Sequence, residues 1–128
     1  MSRSLRPSVM VVDDEEELAE LFSRFIELRG FNCTYFTDPE EALDYFSKNI
    51  NKFSLVITDL KMPDLNGLEL SRRLHQYNKT VKVLLVTAFL VEENVDYDEA
   101  KEAGISMVLE KPFHFKELKP IVEEILFT

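Results

Sequence analysis

The stretch that decides the fold is Leu55-Val56-Ile57-Thr58-Asp59, followed by Pro63-Asp64-Leu65-Asn66-Gly67. Four apolar or β-branched residues in a row, stopped by an aspartate and a turn-forming cluster, read as a strand buried on both faces. After the turn, Leu68, Leu70 and Leu74 recur at helical spacing, with Tyr77 closing the stretch. A strand covered on both sides and followed by a helix is the repeating unit of a parallel sheet, since parallel neighbours need a crossover between them.

The same unit recurs in both directions along the chain. Val9 to Val12 is a short apolar run, and Leu18, Leu21, Phe22, Phe25 and Ile26 then follow at helical spacing until Gly30. Phe31 to Phe36 reads as a strand, and Asp38-Pro39-Glu40-Glu41 supplies a cap, a first-turn proline and a capping-box glutamate ahead of Ala42, Leu43 and Phe46. Val81 to Val86 and Ile105 to Leu109 are the fourth and fifth strands. Between them Val91, Val95 and Ala103 stand among acidic residues, and Asp96-Tyr97-Asp98 is a poor helical triplet, so a short or frayed fourth helix is expected. Phe115, Leu118, Ile121, Val122, Ile125 and Leu126 mark the last helix, whose regular part is expected to begin near Glu117 because Pro120 removes a backbone bond. Five such alternations imply an α/β fold: a doubly wound five-stranded parallel sheet with helices on both faces.

The 128 residues suit one domain, with residues 1–7 expected as a flexible lead-in and 8–128 as the folded unit. Fifteen basic against 24 acidic residues give a net charge of −9, which repels a phosphate backbone and argues against direct nucleic-acid binding. The lone Cys33 has no internal disulfide partner and reads as a small buried apolar group. No run approaches the ~18 apolar residues of a membrane span, and no signal-peptide pattern opens the chain, so a cytoplasmic location is expected. His75 and His114 lack a second histidine at helical spacing or a cysteine partner, which gives no support to a zinc site.

Functional groups collect where strands end. Asp13 and Asp14 follow the first strand, Asp59 the third, Thr87 the fourth and Lys111-Pro112 the fifth. In an open α/β sheet those ends border one crevice. Asp14 could simply cap the first helix with Glu17 as its partner, and Asp59 could be a turn residue. Alternatively, adjacent carboxylates joined by Asp59 form a hard-oxygen set suited to Mg²⁺, with Asp59 able to accept a phosphoryl group as an acyl phosphate. The Thr87 hydroxyl and Lys111 ammonium then suit phosphoryl oxygens, and a cis Lys111–Pro112 bond would aim Lys111 inward.

Val-Val-Asp13-Asp14, Thr-Asp59-Leu-Lys-Met62-Pro63-Asp-Leu-Asn-Gly67, Val-Thr87-Ala88 and Glu-Lys111-Pro112-Phe113 together resemble a two-component response-regulator receiver domain, CheY-like, over nearly the whole chain. The resemblance implies a flavodoxin-like strand order 2-1-3-4-5. It implies phosphorylation of Asp59 from a sensor histidine kinase or phosphotransfer protein. Mg²⁺ would be held by Asp14 and Asp59, by Asp13 through water, and by the main-chain carbonyl of Lys61. Thr87 and Lys111 would grip the phosphoryl oxygens. A face built from the fourth helix, fifth strand and fifth helix would meet a downstream protein or a second copy. The family's aromatic residue three places before the lysine is replaced by Val108, which leaves activation to the Thr87 loop and the acidic fourth helix, or leaves a domain that transmits its state weakly. Lys61 and Phe89 would flank the pocket and limit attack by water.

Two other functions compete. An aspartate-nucleophile phosphohydrolase would use a similar sheet and Mg²⁺, but such enzymes resemble one another in an Asp-x-Asp pair, and here Glu15 stands two places after Asp13. A pseudo-receiver that only docks partners would not need the complete set Asp13, Asp14, Asp59, Thr87 and Lys111.

Overall fold

A computed structural model describes residues 6–88 and 96–127. Its strands are β1 (Ser8–Val12), β2 (Asn32–Phe36), β3 (Leu55–Asp59), β4 (Lys82–Thr87) and β5 (Met107–Glu110). The described helices are α1 (Glu16–Leu28), α2 (Pro39–Ser47), α3 (Gly67–Tyr77), α4 (Tyr97–Glu102) and α5 (Phe115–Phe127). All strand pairs are parallel, and the order is β2-β1-β3-β4-β5. The order reverses between β1 and β3, and ligands bind at the carboxyl ends of strands flanking such a reversal.

Side chains alternate across the pleat, so each strand feeds two cores. Val9, Val11, Leu55, Ile57, Leu84 and Val86 face α1 and α5, where Phe22, Ile26, Leu118 and Val122 meet them. Met10, Val12, Val56 and Val83 face α2 and α3, against Phe46, Leu70 and Leu74. A smaller cluster of Leu60, Leu68, Leu85, Ala100 and Ala103 seats α4.

Several helix boundaries follow local chemistry. Asp38 accepts from Glu40 N–H at 2.9 Å with Pro39 at the first helical position, and Asn66 accepts from Glu69 N–H at 2.9 Å. α4 is short, six residues, as expected, and it opens at Asp96-Tyr97-Asp98, where Asp96 lies outside the helix as its N-cap and accepts from Asp98 N–H at 2.8 Å. One expectation needs correction. The last helix starts at Phe115, not near Glu117, and runs through Pro120. There Glu117 accepts from His114 N–H at 3.0 Å, closing the first turn, while the buried row Leu118, Val122 and Ile125 keeps the helix on the sheet across the bond that proline removes. Val91, Val95 and Phe89 lie outside the described residues.

The remaining candidates are structural. Burial pushes the Cys33 thiol up to about 11, so it stays protonated and unreactive at neutral pH. His75 is held by its ring nitrogens, 2.8 Å from the Ser71 carbonyl and 2.9 Å from the Val81 carbonyl.

Gly67 has no room for a side chain: a Cβ there would lie 2.4 Å from the Asp59 carbonyl oxygen and 2.8 Å from Leu85 Cδ1. Backbone cannot yield as a flexible side-chain tip would, so Gly67→Ala is expected to cost about 2–3 kcal/mol, read as a lower urea midpoint with an unchanged slope.

Candidate functional site

β1 and β3 are neighbours in register, with Val12 opposite Thr58, so the residues that follow them emerge side by side. Asp13 is 3% exposed and its N–H is tied to the Phe36 carbonyl at 3.1 Å, which fixes where its side chain leaves the sheet. Its Oδ1 accepts from Glu15 N–H at 2.9 Å. Asp59 ends β3, and Leu60 N–H donates both to Asp59 Oδ1 and to the Val86 carbonyl, each at 2.9 Å. Asp14 is exposed, and oxygens of Asp13, Asp14 and Asp59 all lie within 4.8 Å of one another.

The opposite wall comes from β4 and β5. Thr87 is fully buried at the end of β4 and pairs with Glu110 across the ladder. Lys111 N–H donates to the Thr87 carbonyl at 2.7 Å, and the Lys111–Pro112 bond is cis. Lys111 Nζ reaches to 3.6 Å from Asp59 Oδ2, at the edge of ion-pair range. Lys61 follows two residues after Asp59, with an exposed side chain. Asp13, Asp14, Asp59 and Lys111 therefore converge as the strand-end reading required, and Thr87 is joined to Lys111 through the backbone.

The alternative role for Asp14 as helix cap is not met. The N-cap of α1 is Glu15, which makes no side-chain cap bond, and it is Asp13 that takes the Glu15 amide. Asp14 is left facing the cluster. Sequence reasoning treated Gly67 only as part of a turn and missed its contact with the backbone of Asp59 at the end of β3. The available signal was a glycine at the first position of a helix, where helix formation itself gives no reason for one. It also missed Thr58, whose buried hydroxyl donates to the Asp59 carbonyl at 3.0 Å.

Charge dominates the pocket. Burial pushes the Asp13 carboxyl up to about 6, and the neighbouring Asp59 and Asp14 charges add to the rise, while the Glu15 amide and Lys111 oppose it. Three acids and one ammonium leave net negative charge in a half-enclosed site. Such a donor set, all hard oxygen, matches what a small divalent cation requires.

A sequence model described as the response regulator receiver domain matches residues 9–123. The chain belongs to that family. The receiver protein CpdR of Brucella abortus is 29% identical, over 94% of this chain and 97% of its own length. The transcriptional regulatory protein CpxR of Escherichia coli is 34% identical over 92% of this chain, which spans 48% of that regulator. Among solved structures, the chemotaxis protein CheY4 of Vibrio cholerae superposes with a TM-score of 0.84 at 25% identity, covering 94% of this chain and 99% of that one. The response regulator TrrA of Thermotoga maritima, solved in complex with Mg²⁺–BeF, gives 0.80 at 31% identity over 94% of this chain and 99% of that one. The observed strand order and the predicted receiver fold thus agree.

The lowered acidity of Asp13 fixes a pH dependence for the receiver. A carboxyl titrating near 6 in the folded state and near 3.8 unfolded binds more proton when folded, so stability falls as pH rises from about 4 through 6. Asp13→Asn keeps an oxygen for the Glu15 amide and removes the charge. Without divalent cation it is expected to stabilise the fold by about 1–2 kcal/mol at pH 7.5, with the gain vanishing below pH ~4; urea melts at both pH values test this.

Proposed function

We propose that this receiver is a signalling switch that takes a phosphoryl group on Asp59 in a Mg²⁺-dependent reaction. The observation that carries the reading is the position of the Asp59 carboxylate, 3.6 Å from the Lys111 ammonium and within 4.8 Å of two further carboxylates. In the transfer, an Asp59 oxygen bonds to phosphorus as the N–P bond of a phosphohistidine breaks. The freed imidazole keeps the bond's electrons and takes up a proton. Asp13, Asp14, Asp59 and the Lys61 main-chain carbonyl are the groups that would hold Mg²⁺, which when bound supplies positive charge against the incoming phosphoryl oxygens.

The protein's own residues supply alignment and charge, the two terms that dominate phosphoryl transfer. Asp59 is oriented by the Leu60 amide at Oδ1, which leaves Oδ2 toward Lys111. Lys111 balances the added charge, and Thr87 is assigned to a phosphoryl oxygen. Response regulators work between histidine kinases and downstream effectors. For this chain, a sensor kinase or phosphotransfer protein is assigned as donor, and the face of α4, β5 and α5 as the surface that meets a target or a second copy. Among the described residues no helix is long and apolar enough to cross a membrane, and a cytoplasmic site of action is proposed.

Incubation with acetyl phosphate and Mg²⁺ is expected to add a single phosphoryl group, seen by intact mass. Asp59→Asn and chelation of Mg²⁺ should each abolish the adduct, and Lys111→Ala should slow its formation by at least ~10²-fold, the scale of one lost charge-stabilising group. Continued phosphate release from many small esters would favour the phosphohydrolase instead. No adduct with any donor would favour a docking pseudo-receiver.

A further inference from the structure

α3 is fastened at one end to the acceptor strand and along its next turns to α4. At its start, Gly67 N–H donates to the Leu60 carbonyl at 2.8 Å, and its Cα lies so close to Asp59 that a Cβ would come within 2.4 Å of the Asp59 carbonyl oxygen. One turn on, the fully buried Ser71 hydroxyl donates to the Ala103 carbonyl at 2.7 Å. Next to it, Arg72 Nη2 lies 3.2 Å from Glu99 and 3.3 Å from Glu102, with Nη1 on Glu69 at 3.2 Å. A further turn along, the His75 ring lies against Gly104, where a Cβ would approach it to 2.5 Å. Leu68 joins Ala100, Ala103 and Leu60, the neighbour of Asp59, in one apolar cluster.

These contacts give α4 what it lacks by itself. Six residues are too few for an isolated helix. Ala103 stands where helix carbonyls have no intrahelical partner, and Ser71 supplies the missing donor. Glu102 stands at the end of the helix that the macrodipole already makes negative, and Arg72 supplies an opposing cation there from α3 while also pairing Glu99 of the first turn. Where α4 sits is therefore set by α3, and where α3 begins is set by the backbone of Asp59.

We propose that α3 is a conformational relay: a change at Asp59 shifts the first turn of α3 and reaches α4 through the Ser71–Ala103 hydrogen bond and the Arg72 ion pairs. This rests on Asp59 being the phosphoryl acceptor. The relay needs no side-chain rotamer change at position 108, where Val108 packs against the same cluster that seats α4.

The test is amide exchange across residues 97–104 in the whole chain, with and without Mg²⁺ and beryllofluoride, alongside acetyl phosphate labelling. In the wild type, exchange there is expected to slow by about tenfold on adding both. Arg72→Gln and the double variant Ser71→Ala/Arg72→Gln should still form the adduct, while the change at 97–104 falls below about threefold. Arg72→Glu should lose the change as well, and adding Glu102→Arg should restore it, which a general loss of packing would not do. A wild-type-sized change in Arg72→Gln and in the double variant overturns the relay, as does a wild type that takes the label without any change at 97–104. A wild type that takes no label removes the assignment of Asp59 and the relay with it.

Discussion

Three carboxylates with oxygens inside 4.8 Å of one another repel, and the architecture is arranged around containing that repulsion. Asp13 and Asp59 are neighbours because β1 and β3 are neighbours, in register from Val9–Leu55 to Val12–Thr58. Neither can retreat, since Asp13 is bonded through its amide to Phe36 and Asp59 through the ladder to Val86. Opposing charge comes from Lys111 at 3.6 Å and from the Glu15 amide on Asp13 Oδ1. The start of α1 at Glu16 adds the positive end of a helix dipole beside the cluster. Burial of Asp13 outweighs these terms, and with the neighbouring carboxylates adding to it the Asp13 carboxyl remains pushed up to about 6. A site under this load is stabilised by whatever cation enters it, and binding to the folded state alone adds to stability by mass action.

The supporting frame is consistent with that load. Among the described residues, the fully buried polar side chains within the strands are the hydroxyls of Thr58 and Thr87, near the functional edge of the sheet. Thr58 is spent on the Asp59 carbonyl. The same carbonyl is closed off by Gly67, so Asp59 is bounded by backbone there as well as along its ladder with β4.

Much of this was legible in the sequence because it is local. Four of the apolar runs end beside Asp13, Asp59, Thr87 or Lys111, and a parallel sheet places all such ends at one edge, so their shared edge follows from alternation, while their convergence needs the strand order. Strand order is not local: nothing in the periodicity puts β1 between β2 and β3, and the order came from resemblance. Propensity gave the short α4 from Asp96-Tyr97-Asp98 but not that Asp96 lies outside the helix and caps it. The error at the last helix has a physical cause. Pro120 costs one bond, which the buried face of α5 outweighs. The pairings of Ser71 with Ala103 and of Arg72 with Glu99 and Glu102 span 27 to 32 positions, beyond the reach of any pattern read along the chain.

Val108 shows how a departure at one residue redirects the argument. A β-branched side chain has few rotamers, and Val108 sits half-buried against Leu60, Leu68, Leu85, Ala100 and Ala103. A swinging ring can report a distant charge by moving between two pockets, whereas a valine has neither the length nor the rotamers for such a swing. Close-packed clusters pass displacement on instead of absorbing it. With Leu60 bonded to Asp59 on one side and the alanines of α4 on the other, the cluster links the two through packing. In such a receiver, the position of a helix, not the orientation of a ring, becomes the quantity that phosphorylation can change.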